Sequence, residues 1–116
     1  MAARRQGRRR RPARRSFDVV WTDRALRNLD EIDAYISQDN PGAARRWIQK
    51  LLAAAEQAAG SPLAGRVVPE KKRRDIREVF VRTYRIVYLI RETRIDILTV
   101  FEGHHEFPGD VSVDDE

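Results

Sequence analysis

Hydrophobic and polar positions follow two periods along this chain, and the places where one gives way to the other predict its elements. Residues 17–22 alternate, with Phe17, Val19 and Trp21 on one face and Asp18, Val20 and Thr22 on the other, which predicts a short strand. The period then lengthens. Ala25, Leu26, Leu29, Ile32 and Ile36 recur at helical spacing while Arg24, Arg27, Asp30, Glu31 and Asp33 face outward. Thr22 reads as the N-cap, with Asp23 in the first turn, and the helix should run to about residue 38. Asn40 caps a second helix that opens on Pro41. Its apolar stripe is Ala44, Trp47, Ile48, Leu51, Leu52, Ala55, Ala58 and Ala59, and Gly60 is expected to stop it. So short a connection predicts an antiparallel helical hairpin.

Residues 61–74, punctuated by Pro62, Gly65 and Pro69, read as loop. Three strands are predicted after it, over residues 75–82, 84–91 and 94–101, with a tight turn at Glu92 and Thr93. The run 84–90 is apolar on both faces and suits a central strand. Alternation places Arg85, Val87 and Leu89 on one of its faces and Tyr84, Ile86 and Tyr88 on the other. The order is β-α-α-β-β-β, an α+β domain.

Composition narrows the chemistry. The chain has 116 residues, which fits one domain, and no cysteine, which excludes disulfides, thiolate metal sites and thiol nucleophiles. Lacking any apolar run of membrane-spanning length or a secretory leader, it is expected to be cytoplasmic. The net charge of +5 is unevenly placed: residues 1–15 hold eight arginines and no acid. Like charges without apolar residues cannot order themselves, so residues 1–15 are expected to be a disordered arm, residues 16–109 the domain and residues 110–116 an acidic tail. Two readings of the arm stand side by side: a nonspecific nucleic-acid tether, or residues that come only from a start codon chosen too far upstream. Within the domain the charge is nearly balanced except for Arg66, Lys71, Lys72, Arg73, Arg74, Arg77, Arg82 and Arg85 set against Glu70, Asp75 and Glu78.

Arg85 carries the most weight, because a charge in a central strand must be paired or face a wet surface. Two roles stand side by side: a structural pair with a carboxylate such as Glu78, or a functional guanidinium joined by Arg77 on the same sheet face to hold phosphates or carboxylates. His104 and His105 follow the last strand and could act as general acid or base, or simply be solvated. Glu102, His104 and Glu106 would share a face if that strand continued, but Gly103 and Pro108 argue against such a metal site. No metal and no cofactor is expected. The charged run from Glu70 to Arg74 is of interest chiefly because it precedes Arg77 and Arg85.

Several segments in order carry a family resemblance over about residues 17–108: Val20-Trp21-Thr22 before an Ala-Leu-x-x-Leu helix, Asn40-Pro41-Gly42-Ala43-Ala44, Pro62-Leu63-Ala64-Gly65-Arg66-Val67-Val68-Pro69-Glu70, Arg77-Glu78-Val79, Tyr84-Arg85-Ile86-Val87-Tyr88 and Ile97-Leu98-Thr99-Val100-Phe101. The chain resembles the RelE/ParE superfamily of toxins from bacterial type II toxin-antitoxin modules, often labelled plasmid-stabilisation proteins. The resemblance implies a helical hairpin packed on a small, mainly antiparallel sheet, neutralised by a wrapping ParD- or RelB-like antitoxin in a hetero-oligomer. RelE-like members cut messenger RNA on the ribosome, whereas several ParE-like members poison DNA gyrase. The long hairpin and the Gly65-Arg66-x-x-Pro69-Glu70 loop look ParE-like. In RNA-cutting members the arginine matched by Arg85 contacts the scissile phosphate. Those members also carry further basic residues and a late tyrosine or histidine; here His105 and Phe107 occupy the corresponding places, and no tyrosine follows Tyr88.

Three functions follow as expectations. The first is a ParE-type toxin that inhibits growth by binding an essential target, with gyrase as the candidate. The second is a ribosome-dependent endoribonuclease, in which His104 or His105 would take the 2′-hydroxyl proton while Arg77 and Arg85 stabilise the phosphate. The third is a non-toxic relic that binds only its antitoxin and operator. Arg66, Glu70, Arg77, Arg85 and Trp47 are the expected target- or antitoxin-binding residues. The antitoxin should cover the hairpin and the basic sheet face, with acids opposite Arg77 and Arg85.

Overall fold

A computed structural model of the protein describes residues 17–111; the arm over 1–15 and most of the acidic tail lie outside the described residues. Strand β1 (Asp18–Trp21) leads into helices α1 (Asp23–Ser37) and α2 (Pro41–Gly60), and strands β2 (Arg66–Val67), β3 (Ile76–Val81), β4 (Tyr84–Ile90) and β5 (Arg94–Glu102) follow. The sheet order is β1-β5-β4-β3-β2. Only β1 and β5 are parallel; every other pair is antiparallel, and β4 holds the centre as its doubly apolar run required.

Both helices start where their caps predict. Thr22 Oγ1 accepts from the Ala25 amide at 3.2 Å and donates to the Ile97 carbonyl at 2.7 Å, so one hydroxyl ends β1, starts α1 and ties both to β5. Asn40 Oδ1 accepts from the Ala43 amide at 3.0 Å ahead of Pro41. Gly60 is the last helical residue of α2 rather than the stop beyond it, and the Ser61 amide closes the end on the Ala58 carbonyl.

The stretch expected to be loop is more ordered than its turn residues suggest. Pro62–Ala64 form a single 3₁₀ turn, and Arg66 and Val67 pair with Glu78 and Arg77 as an additional edge strand, giving five strands instead of four. Two residues are too few to show a period, so only the pairing partner reveals the strand.

The sheet carries one apolar layer on each face. Beneath the helices, Ala25, Leu29, Leu51, Ala55 and Ala59 pack on Ile86, Tyr88, Ile95, Ile97 and Val100. On the other face Val68, Ile76, Val87, Leu89 and Leu98 are covered by Phe101, Phe107 and Val111, which belong to the end of β5 and the segment after it. A bulge in β5 leaves Leu98 without a register partner between Ile97, opposite Tyr88, and Thr99, opposite Val87. Asn28 of α1 answers it, with Oδ1 accepting from the Val100 amide at 3.0 Å and the Thr99 hydroxyl at 2.8 Å.

Candidate functional site

The alternation of β3 and β4, joined through the two-residue connection Arg82-Thr83, decides which charges meet. Val81 lies opposite Tyr84, so Phe80 falls opposite Arg85 and Glu78 lies two residues on along the same face. Arg77 lies opposite Tyr88 and therefore belongs to the helix-side face. The expected pair of guanidinium forks on one face does not form. Arg77 instead donates to the carbonyls of Arg74 at 2.8 Å and of Leu63 and Gly65, both at 3.0 Å, which pins the 3₁₀ turn to β3.

Arg85 is 6% exposed, and two carboxylates meet its guanidinium. Its Nε donates to Glu78 Oε1 at 2.8 Å, while Nη1 and Nη2 form a fork on Glu70 at 3.2 and 2.9 Å. Glu78, with its side chain wholly buried, also receives Arg66 through Nε at 2.7 Å and through Nη2. Arg66, Glu78, Arg85 and Glu70 thus form a charge-balanced chain running from the sheet edge to the loop. The rings of Phe101, Phe107 and Phe80 lie 5.0, 5.5 and 6.0 Å from the Arg85 guanidinium, and Phe80 also stacks on Arg66 at 5.4 Å. The pairing of Arg85 with Glu78 is the structural one that the sequence suggests. The three rings were not legible there, since no local pattern singles out phenylalanines so far apart in sequence.

The Arg85 fork holds the Glu70 carboxyl below the usual range, and Glu70 in turn raises Arg85. A second acid–base group clamps the β4–β5 turn: Asp96 is 1% exposed between Arg91 Nε at 2.8 Å and Arg94 Nε at 2.7 Å. Burial alone would raise its pKa, but the bonds from Arg94 and Arg91 outweigh that and lower it. Carboxyls depressed in the fold stabilise it above their unfolded pKa and lose that contribution as pH falls through the folded value. Thermal stability should therefore hold through neutral pH and decline below about pH 4. Glu70→Gln should flatten that decline, as thermal melts across the acid range would show; an unchanged slope would mean the Glu70 fork does not persist in solution.

His104 and His105 are both exposed in the turn that ends β5, where the His104 amide donates to Glu102 Oε1 at 2.8 Å. The strand stops at Glu102, and among the described residues no group of three or more His, Asp or Glu could hold a metal. Gly103 permits this turn, since a Cβ there would lie 2.7 Å from the Thr83 carbonyl. His105, Arg85, Lys71 and Glu70 line one shallow groove between the loop and the C-terminal segment. Trp47 does not stand free on the hairpin: it meets Tyr84 edge to face at 5.5 Å and carries Lys50 over its ring at 5.3 Å. The exposed large apolar residues of the hairpin are Leu26, Tyr35 and Leu52. No helix among the described residues is long and apolar enough to cross a membrane.

Comparison with known proteins agrees with this architecture. Residues 19–107 match the family described as ParE toxin of type II toxin-antitoxin system, parDE. The Y4kP protein of Sinorhizobium fredii is 40% identical over 90 residues, covering 78% of this chain and 92% of its own length. Toxin RelE2 of Caulobacter vibrioides is 37% identical over 83 residues, covering 71% of this chain and 90% of its own. Among solved structures, a chain of the chromosomal ParDE toxin-antitoxin system from P. aeruginosa superposes with a TM-score of 0.62 at 19% identity, over 75% of this chain and 96% of that one, which shows a shared fold. The match spans the domain from β1 to the covering segment, and on it this chain belongs to the ParE toxin family of type II toxin-antitoxin systems.

Proposed function

We propose that this toxin inhibits growth by binding an essential target, with DNA gyrase the first candidate, and that a cognate antitoxin neutralises it by covering the exposed hairpin residues Leu26, Tyr35 and Leu52. One observation carries the preference for binding over RNA cleavage. Arg85, the residue that would hold a scissile phosphate, has its charge matched by Glu70 and Glu78 and its faces lined by phenylalanine. A phosphate would have to expel Glu70 and would then meet the buried charge of Glu78. The assignment of an antitoxin rests on family membership and on the hairpin's uncovered apolar side chains. Inducing the chain alone and following plasmid supercoiling and protein synthesis in the same culture tests the target. Supercoiling should fail first.

Ribosome-dependent cleavage is the second reading, favoured by the groove that places His105 beside Arg85 and Lys71. The histidines discriminate the two. Removal of a general base costs about 10²- to 10⁴-fold in rate while leaving binding intact. Replacing His104 and His105 together by alanine should leave growth inhibition unchanged at matched soluble expression. A folded double variant that is harmless yet still binds antitoxin would transfer the assignment to RNA cleavage.

A further inference from the structure

At the end of the sheet where β3 turns into β4, helix α1 stands off β5 and leaves an open groove of about 440 Å³. Ile32 and Tyr35 of α1, Tyr84 of β4 and Val100 of β5 wall it, and Glu31 and Glu102 line it with them. The groove is preformed. Asn28 Oδ1 accepts from the Val100 amide and the Thr99 hydroxyl, which fixes the helix against the strand, and Trp47 of α2 meets Tyr84 edge to face.

Aromatic faces and negative charge converge here. Tyr35 is 72% exposed. Glu31 and Glu102 form no ion pair among the described residues, whereas Glu70, Asp75, Glu78 and Asp96 each hold an arginine. Hydrogen bonds from Thr83 and from the His104 amide hold the Glu102 carboxyl below the usual range, so it is ionised at neutral pH. Tyr84 registers that charge: burial first, and then Glu102, push its hydroxyl up. The same aromatic cluster already carries one cation, since Lys50 lies 5.3 Å over the Trp47 ring.

We infer that this groove is where the antitoxin anchors a basic side chain, an arginine or lysine set against the Tyr35 and Tyr84 rings with its charge answered by Glu31 and Glu102. The inference rests on the reading that an antitoxin covers Tyr35, and adds to it the sign of the charge that the antitoxin brings there. An open groove cannot enclose a small free cation, so the cation arrives on a chain that is also held elsewhere. Leu26 and Leu52, exposed on the same hairpin, offer that chain further contacts. An acidic side chain would find less to answer. Arg85 is matched by Glu70 and Glu78, and Arg77 is bonded to three backbone carbonyls.

The test is isothermal titration of the purified full chain with the product of the reading frame adjacent to its own, at low and at high salt. Glu31→Gln with Glu102→Gln should lower affinity about tenfold at low salt and much less at high salt. Glutamine keeps an acceptor for the His104 amide, so the turn after β5 is retained. Tyr35→Leu, which keeps apolar area and removes the ring face, should cost about two- to fivefold. Asp18→Asn with Glu92→Gln removes the same charge from exposed positions at the other end of the sheet and should change nothing. Circular dichroism checks the fold of each variant. Each lysine and arginine of the partner is then changed to glutamine in turn. One of these changes should cost about tenfold against the wild-type chain and nothing further against the Glu31 and Glu102 variant. If no complex forms at all, the antitoxin assignment and this inference fall together. The inference alone is overturned, with the antitoxin assignment intact, if either groove variant binds at full affinity, if the Asp18 and Glu92 changes cost as much, or if no partner cation couples to the groove. It is equally overturned if sedimentation velocity shows the free chain self-associating in a way that the Glu31 and Glu102 changes abolish, since a second copy would then fill the groove.

Discussion

Glu78→Ala should destabilise the folded domain by about 3–5 kcal/mol, the loss typical of removing one partner from a buried ion pair. The side chain is wholly buried and its two oxygens serve two arginines, Arg85 through Oε1 and Arg66 through Oε2. Arg66 is largely exposed and can return to water. Arg85 cannot, because β4 is the central strand and three rings close over its guanidinium. Glu70 would then be the sole counter-charge for an almost fully buried cation, leaving the Nε proton without an acceptor. Urea titration gives the comparison directly, with Asp75→Ala as control: that acid pairs with Arg73 at 2.8 Å at the surface, where such pairs contribute at most about 1 kcal/mol. Glu78→Gln, which keeps an acceptor oxygen, should fall between the two. Equal costs for Glu78→Ala and Asp75→Ala would mean that Glu70 alone suffices for Arg85.

The same network shows what the sequence discloses and what it conceals. The two faces of β4 were legible because Tyr84, Ile86 and Tyr88 alternate with Arg85, Val87 and Leu89, and both apolar sets are large enough to need burial. Placing Arg77 required the register between strands, which alternation within one strand does not contain. The signal lay in the two-residue connection Arg82-Thr83: once Val81 is opposite Tyr84, counting back sets Glu78 on the Arg85 face and Arg77 on the other. Phe107 could not be assigned that way. It reaches Arg85 from beyond β5, where no period fixes the path, and its position depends on the edge-to-face contact with Phe101 at 5.5 Å and on Lys71 over its ring at 5.6 Å.

For the candidate site this distinction has a functional side. The motif around Tyr84 and Arg85 is present in sequence, yet whether its arginine is available to a phosphate depends on Glu70, fifteen residues earlier, and on a segment after the last strand. A motif reports which side chains exist. Their partners decide what those side chains are free to do.

Gly65→Ala should be nearly as damaging as loss of Glu78, and for a reason that backbone conformation does not supply. Gly65 has φ −70° and ψ 157°, values open to any residue. What alanine lacks is room: its Cβ would fall 2.2 Å from Tyr88 Oη and 3.0 Å from the Glu78 carbonyl oxygen. Tyr88 is fully buried, and its hydroxyl donates to the Pro62 carbonyl at 2.6 Å, closing the 3₁₀ turn onto the central strand. Overpacking of this kind typically costs about 1–3 kcal/mol, and a buried hydroxyl driven from its partner adds about 1–3 kcal/mol. Tyr88→Phe alone should cost about 1–2 kcal/mol, since it removes the hydroxyl but leaves the ring in place. The two changes concern the same space, so their costs should not add. With the hydroxyl gone, the added methyl meets only the ring edge, at 3.1 Å from Cζ, and the Glu78 carbonyl. The Gly65→Ala/Tyr88→Phe double variant should therefore be more stable than the sum of the single changes implies by at least about 1 kcal/mol, a coupling expected of residues in direct contact. Denaturant titrations of the four proteins complete the cycle. Strict additivity would show that the 3₁₀ turn yields to the methyl group, and that Tyr88 does not hold the turn against β4.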